Sequence, residues 1–213
     1  MKIINIIRCF FLSAKLFSQT DTILIKTYYP DNKISQEYQT TLPDSTPNGN
    51  YKSYNSYGKI SSIGKFKLGE KVGVWTYYSD GASATEIVEK YDYNTQTELY
   101  YNYTYEKMFG APRFPGGEID FGNYVTRQIN KRVSKEIQKK YSGKKIHISF
   151  DIDRISGKVI NVKVLPVSHM NEIKDKNVED ILIALIQDSP KWVLSKNMTE
   201  KTFASYNLPI KFK

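Results

Sequence analysis

The sequence is poor in the residues that build most catalytic and metal-binding sites. Its 213 residues include one cysteine, Cys9, and two histidines, His147 and His169. A single cysteine forms neither an internal disulfide nor a thiolate-rich metal site, and two histidines are too few for a typical zinc site. The nucleophile motif Gly-x-Ser-x-Gly is absent as well. We therefore expect a protein that is not an enzyme and that holds no metal and no cofactor.

Long apolar runs are also missing. The most apolar stretch, residues 3–17, is 15 residues long and contains Arg8 and Lys15, whereas a bilayer-spanning helix needs about 20 apolar residues. We expect no transmembrane helix in the mature chain. Residues 1–18 instead combine a lysine, an apolar run and a small residue before Gln19, which is the layout of a secretory signal peptide. This layout predicts export to the periplasm or cell envelope.

The positive charge is modest once this leader is set aside. The net charge is +9, and Lys2, Arg8 and Lys15 supply three of these charges, which leaves +6 after cleavage. A surface of this kind suits contact with acidic proteins or lipid headgroups as well as simple solubility, and it is too weakly basic to indicate a nucleic-acid partner. We therefore expect a protein partner and no nucleic acid.

Residues 21–105 carry an internal repeat. Most of the 17 tyrosines lie here, and three segments, 27–38, 53–63 and 76–86, share aromatic residues, a turn pair and a polar-apolar strand, with starts 26 and 23 residues apart. The turn pairs are Asp31-Asn32, Tyr57-Gly58 and Asp80-Gly81. This pattern is typical of β-hairpins. We therefore predict an all-β stack of short antiparallel hairpins.

The aromatic residues of these hairpins have two interpretations. Phe66 and Trp75 are placed to pack on neighbouring hairpins, because one hairpin alone cannot bury its own face. We expect them to form the core of the stack, and the alternative is an aromatic surface that binds a glycan or a peptide. The hairpins resemble the MORN-type, YwqK-like repeat. The resemblance rests on Gly73-Val-Trp75-Thr-Tyr-Tyr78-Ser-Asp-Gly81 and on Gly49-Asn-Tyr51-Lys-Ser-Tyr54.

Residues 145–166 predict a further β-hairpin, organised around two alternating strands. The apolar residues of its first strand are Ile146, Ile148, Phe150 and Ile152, and those of its second strand are Ile160, Val162 and Val164. Gly157 lies between the strands and can take the positive φ that a tight turn requires. One face of this hairpin is apolar and needs a cover.

Two helices and a third strand complete this part of the chain. A narrow apolar stripe predicts a helix over 124–141, and a wider apolar face predicts a helix over 178–187, capped by Asp175 or Asn177. The chain ends in a third alternating segment. The predicted fold class is therefore α+β, in which an antiparallel sheet of about three strands, packed by two helices, follows the hairpins. The predicted boundaries are a linker at 106–118 and a second domain at 119–213.

Three further patterns each allow a functional and a structural interpretation. The basic residues of the 124–141 helix form either a strip for an acidic partner or a solvated face, and they are Arg127, Lys131, Arg132, Lys135, Lys139 and Lys140. Asp151 and Asp153 are either a carboxylate pair or solvated turn residues. Gly116-Gly117 is either a phosphate cradle or part of a hinge. In each case we expect the structural interpretation.

The last hundred residues resemble the TonB C-terminal domain. The resemblance rests on the order and spacing of short motifs, which are Phe114-Pro-Gly-Gly117, Ile148-Ser-Phe150-Asp-Ile152-Asp153, Gly157-Lys-Val159, Val162-Lys-Val164, Pro190-Lys-Trp192 and Leu208-Pro-Ile210-Lys-Phe212. Full transducers of that family also have a spanning N-terminal helix and a long proline-rich spacer, and neither pattern occurs in this sequence. The resemblance therefore concerns the docking module and not the energy-coupling machinery.

The resemblance implies that the last strand binds a protein partner. Such a domain pairs an extended peptide of its receptor with an open sheet edge, a mode called β-augmentation. The implied edge comprises Ser205, Tyr206, Asn207, Leu208, Ile210, Lys211 and Phe212, and Pro209 would remove one donor from it. The implied partner is a TonB-dependent outer-membrane receptor or another envelope protein, in the context of TonB-dependent transport. Open edges also allow a homodimer.

A second function remains open at this point. The protein is then a MORN-like repeat protein whose hairpins bind a partner protein or a glycan, and the C-terminal domain is a structural or dimerising element. The two hypotheses place the partner at opposite ends of the sequence.

Overall fold

The computed structural model describes residues 22–41, 46–83, 85–102, 111–165, 173–194 and 204–212. The predicted leader with Cys9, and also His169, lie outside these residues. The described part of the chain is α+β, with a seven-stranded antiparallel sheet, then a three-stranded antiparallel sheet and three helices. The predicted fold class is confirmed.

The repeats form one continuous sheet in which each strand pairs with the next strand along the chain. The predicted hairpins therefore lie edge to edge as a meander. The strands are β1 (Thr22–Tyr28), β2 (Ile34–Thr41), β3 (Pro47–Tyr54), β4 (Ile60–Lys67), β5 (Glu70–Tyr78), β6 (Ile87–Asp92) and β7 (Thr97–Tyr101).

The three predicted turn pairs connect β1 to β2, β3 to β4 and β5 to β6. Asn32, Gly58 and Gly81 adopt positive φ angles of 64°, 75° and 120°, the left-handed region that Gly and Asn tolerate. Neighbouring turns also contact one another, because Asn55 Nδ2 donates to Asp80 Oδ1 (3.2 Å) and to the carbonyl of Gly81 (3.0 Å). The turns are therefore repeated in space as well as in sequence.

One face of this sheet, here called the aromatic face, carries the predicted core. Its buried rings are Phe66, Trp75, Tyr77 and Tyr91, with Tyr51 and Tyr93 packed against them. Phe66 meets Trp75 edge-on, with ring centroids 5.1 Å apart. Gly64 lies directly against the indole of Trp75, where an added Cβ would overlap with the ring. The prediction that Phe66 and Trp75 pack between neighbouring hairpins is confirmed.

The C-terminal sheet has the strand order β10-β8-β9. It consists of β8 (Lys145–Ile152), β9 (Val159–Val164) and β10 (Ser205–Lys211), and it shares one hydrophobic core with α1 (Gly117–Arg132) and α3 (Lys176–Gln187). Asp175 caps α3, because its Oδ1 accepts from the backbone N–H groups of Asn177 and Val178. Trp192 lies in the same core, between Phe121 and Tyr206.

The single helix predicted over 124–141 is wrong. The first helix begins at Gly117 and ends at Arg132, and a short helix, α2 (Lys135–Lys140), follows it. Val133 between them is extended and buried, and Ser134 Oγ accepts from the backbone N–H of Ile137 to cap α2. The basic residues of this segment therefore do not lie on one helix face.

The predicted alternation in β9 is also wrong at one position. Ile160 is 41% exposed, whereas Val159 is 8% exposed and belongs to the core. The pairing with β8 shifts register between Ser149 and Asp151, and Asn161 adopts a positive φ of 54°. This irregularity is a β-bulge, and it moves Ile160 off the buried face while Val162 remains packed against the core.

Candidate functional site

The strand predicted to bind a partner, β10, lies at the edge of the C-terminal sheet. It pairs with β8 over its whole length, from Ser205 opposite Asp151 to Lys211 opposite Lys145, without a register shift. The other side of β10 faces no strand among the residues that the structure describes.

The flanking hydrogen bonds show which backbone groups of β10 face outward. The carbonyl of Ala204 accepts from the N–H of Ile152, and the N–H of Phe212 donates to the carbonyl of Lys144. Because hydrogen-bonded positions alternate in an antiparallel pair, the even-numbered residues bond to β8. The odd-numbered residues turn their N–H and C=O groups toward the open side.

The open side thus presents three donors and four acceptors. Ser205, Asn207 and Lys211 each offer an N–H and a C=O, and Pro209 offers only its C=O. A proline whose missing N–H would face away from the sheet does not disturb the pairing with β8, and this is the position that an edge strand tolerates. Pro209 is predicted to remove one hydrogen-bond donor from β10, and the missing N–H lies on the open side.

Four of the seven predicted site residues contribute their side chains to the core and not to this edge. These are Tyr206, Leu208, Ile210 and Phe212. Tyr206 stacks on Phe150 with ring centroids 5.3 Å apart, and its hydroxyl donates to the carbonyl of Pro112 (2.6 Å). The side chains of Ser205, Asn207 and Lys211 are exposed. The open side of β10 is therefore formed mainly by backbone groups.

The two carboxylates near the edge do not form a pair. Asp151 accepts from Ser205 Oγ (2.6 Å) and Asn161 Nδ2 (2.9 Å), and these hydrogen bonds hold its pKa below the usual value. Asp153 accepts from the backbone N–H groups of Ile155 (2.7 Å) and Ser156 (3.1 Å), which lower its pKa as well. Both carboxylates have structural partners, as expected from their place beside a turn.

A second cluster of polar groups lies where the aromatic face meets α1 and residues 113–117, a region here called the junction. Lys71 Nζ contacts Asp120 Oδ2 (2.5 Å) and the hydroxyl of Tyr77 (3.0 Å), and it lies 3.8 Å from the ring centroid of Trp75. The side chains of Lys71 and Asp120 are 5% and 14% exposed. Burial lowers the pKa of Lys71 to about 8, although the carboxylate of Asp120 opposes this change.

The junction also contains a buried carboxylate, Glu89. Its Oε1 lies 2.8 Å from Arg113 Nη1, and its Oε2 accepts from the backbone N–H of Gly116 (2.9 Å). Arg113 pairs with Glu98 as well. Burial raises the pKa of Glu89, although Arg113 and the Gly116 N–H counteract it. The anion held at Gly116 is thus the protein's own carboxylate, and the Gly117 N–H donates to the carbonyl of Phe114. The alternative of a phosphate cradle has no support here.

Two of the basic residues of the 124–141 segment form ion pairs beside the junction. Lys131 pairs with Glu70 (2.7 Å), and Arg132 pairs with Asp188 (2.8 Å). Glu70 also accepts from Gln128 Nε2 (3.0 Å), and these hydrogen bonds hold its pKa below the usual value even though burial alone would raise it.

The sequence analysis missed the junction. One local signal existed, because Lys71 lies at the start of β5 with the same parity as Trp75 and Tyr77, which places it on the aromatic face. Its partner Asp120 is 49 residues away, and no local pattern indicates that distance.

None of the helices in the described ranges is both long and apolar enough to cross a membrane. Comparisons of the chain with family models, with curated proteins and with solved structures found no match.

Proposed function

We propose that this protein is a non-enzymatic protein of the cell envelope that binds an extended peptide of a membrane receptor or envelope partner by adding it as a strand to β10. The observation that carries the proposal is the position of β10, whose odd-numbered residues direct backbone groups to the open side of the sheet. The resemblance of residues 114–212 to the TonB C-terminal domain supports a TonB-dependent receptor as the partner.

The energetics of this mode favour sequence-tolerant binding. Each backbone hydrogen bond contributes about 0.5–1.5 kcal/mol net, and the edge offers three donors and four acceptors. Pairing at β10 needs no particular side chain of the protein, because Tyr206, Leu208 and Ile210 already pack inside. A peptide bound here leaves one of its own carbonyls unpaired opposite Pro209.

Proline substitution at Asn207 tests the edge directly. Asn207→Pro removes an N–H that faces the open side and leaves the hydrogen bonds to β8 in place. Asn207→Ala is the matched control, because it removes the same side chain and keeps the N–H. We expect a peptide selected from a random extended library on the wild-type protein to bind Asn207→Ala normally and Asn207→Pro at least about tenfold more weakly.

The measurement combines fluorescence polarisation for affinity with amide hydrogen exchange for location. Bound peptide should slow exchange at the amides of Ser205, Asn207 and Lys211 and leave the amide of Leu208 unchanged, because the latter already bonds to β8. Equal affinity for the alanine and proline variants, both folded by circular dichroism, would show that β10 is not the binding edge.

The nature of the partner needs a separate experiment in the cell that makes the protein. A photo-crosslinking residue in place of Asn207 should capture a plug-bearing outer-membrane receptor if the resemblance extends to function. Capture of other envelope proteins would support binding at β10 but contradict a TonB-dependent receptor as the partner. Capture of a second copy of this chain would indicate a homodimer.

The repeat hypothesis keeps one specific observation in its favour. The buried rings of the aromatic face are not accessible, but Tyr28 and Tyr57 are 58% and 60% exposed, and such residues are common in protein and glycan contacts. Under this alternative the hairpins bind the partner and the C-terminal domain is structural. Partner binding that survives Asn207→Pro and is lost in Tyr57→Ser would support it.

A further inference from the structure

The junction encloses a cleft of about 190 Å³ between the aromatic face and the helices. Three aromatic side chains, Tyr93, Phe114 and Tyr124, form part of its wall. The rest of the wall is polar except for one proline and comprises Glu70, Lys71, Gln96, Arg127, Gln128, Arg132, Asp188 and Pro190. The cleft is smaller than the pockets of about 300–1,000 Å³ that hold drug-sized ligands. Its size suits a molecule smaller than a typical drug.

The charges around this cleft are neutralised in pairs, with one exception. The pairs are Lys71 with Asp120, Lys131 with Glu70, and Arg132 with Asp188. Arg127 also lines the cleft, and no carboxylate of the described residues lies within ion-pair distance of it. Among the described residues, Arg127 Nε has no hydrogen-bond partner, and protein atoms enclose it.

Within the described ranges, Arg127 therefore lacks both a counter-ion and an acceptor for its Nε–H group. Its guanidinium lies 5.2 Å from the ring centroid of Phe66, but this contact satisfies no N–H donor. A buried charged donor without an acceptor carries the full cost of its desolvation, and nearly all buried polar groups in folded proteins have a partner. Because Arg127 lines the cleft, an anion bound there can supply the negative charge that the guanidinium group lacks.

We propose that the cleft binds a small organic monocarboxylate, whose carboxylate accepts hydrogen bonds from the guanidinium group of Arg127 and whose body lies against the aromatic wall. One unpaired cation calls for one negative charge. A phosphate carries about −1.5 to −2 at neutral pH, and its extra charge would repel Glu70 and Asp188, which line the same cleft. The aromatic wall favours an apolar body over an inorganic ion. This site goes beyond the proposed function and shares no residue with β10.

Benzoate and benzamide are the probes, because they have nearly the same shape and only benzoate is charged. Isothermal titration calorimetry on the full chain should detect benzoate binding and no benzamide binding. Arg127→Gln should weaken benzoate binding about tenfold or more, since one charge-assisted hydrogen bond contributes roughly that much. Lys135→Gln is the matched control, because it removes an exposed positive charge outside the cleft and should leave benzoate affinity unchanged.

Nuclear magnetic resonance on the wild-type protein makes the test independent of variant stability. Benzoate should shift the Nε–H resonance of Arg127 in proportion to saturation, and benzamide should leave it in place. The proposal is overturned if benzoate does not bind, if it binds Arg127→Gln as tightly as wild type, or if benzamide moves the Arg127 resonance equally. None of these outcomes affects the β10 proposal, which is tested separately by Asn207→Pro.

Discussion

Replacing Lys71 by methionine should lower the free energy of unfolding at pH 7 by no more than about 2 kcal/mol. Methionine fills most of the same space, but it leaves the carboxylate of Asp120, only 14% exposed, without its cation. Removing one partner of a buried ion pair costs about 3–5 kcal/mol when the remaining charge stays desolvated. Methionine also removes the desolvation of the ammonium group, which the lowered pKa of Lys71 places at about 3 kcal/mol and which offsets most of this cost. Asp120→Asn should have a similar effect, since it leaves the buried ammonium group of Lys71 without its carboxylate.

The double variant Lys71→Met/Asp120→Asn should recover most of the lost stability, to within about 1 kcal/mol of wild type. The pKa of Lys71 is lowered to about 8 chiefly by burial, so desolvation outweighs the attraction of Asp120, and removing both charges also removes that penalty. The expected coupling energy in the double-mutant cycle is therefore about 1–2 kcal/mol.

The same residue makes stability depend on pH in a defined direction. The pKa of Lys71 is about 8 in the folded protein and 10.5 for an unperturbed lysine, so between these values the unfolded chain binds more protons at this position. The free energy of unfolding then rises with pH, by about 2 kcal/mol from pH 7 to pH 9.5. Burial raises the pKa of Tyr77 and Tyr93, which reverses the trend above about pH 10.

Urea denaturation at pH 7 and pH 9.5 measures both effects, with Lys135→Met as the control for a lysine on the surface. The difference between wild type and Lys71→Met should grow with pH by about 2 kcal/mol, and the difference for the control should stay constant. Additive single variants, or a wild-type pH slope retained in Lys71→Met, would refute the assigned role of this pair.

Two pairs of substitutions test local features of the fold. Gly64→Ala should lower the free energy of unfolding by about 1–3 kcal/mol, because the new methyl group overlaps with Trp75. Its control, Gly122→Ala, lies at an exposed helical position with open space around it and should raise the free energy of unfolding by about 0.5–1 kcal/mol. Equal effects in thermal denaturation would show that the indole does not lie against Gly64. Val159→Ala should cost about 1.5–3 kcal/mol and Ile160→Ala under about 0.5 kcal/mol, and the reverse order in urea denaturation would contradict the β-bulge.

The sequence predicts the elements whose causes are local. The turn residues Asn32, Gly58 and Gly81 are types that accept positive φ, so the hairpins are visible without a structure. The alternation in β8 is regular, and its four apolar residues are all buried, as predicted. Asp175 was one of two predicted caps for α3, and the structure shows that it is the cap.

The errors arise where the same stretch of sequence is compatible with two local structures. Residues 159–164 satisfy alternation from Ile160, but only the bulge at Asn161 places Val159 inside. The apolar stripe through Val133 continues past the helix end, while the hydroxyl of Ser134 offers a cap that starts a new helix. The edge position of β10 depends on pairing across more than 50 residues, for example between Ser205 and Asp151, and periodicity carries no information on such pairs.

The junction has a consequence for how this protein can be cut into pieces. A fragment starting at residue 111 would place Asp120 and Arg113 in water without Lys71 and Glu89, their cross-sheet partners. The complementary fragment would expose the rings around Trp75 as an apolar patch that promotes aggregation. Lost binding in either truncation would thus mix the removal of a contact surface with the removal of a folding partner. Point substitutions in the intact chain keep those two causes apart.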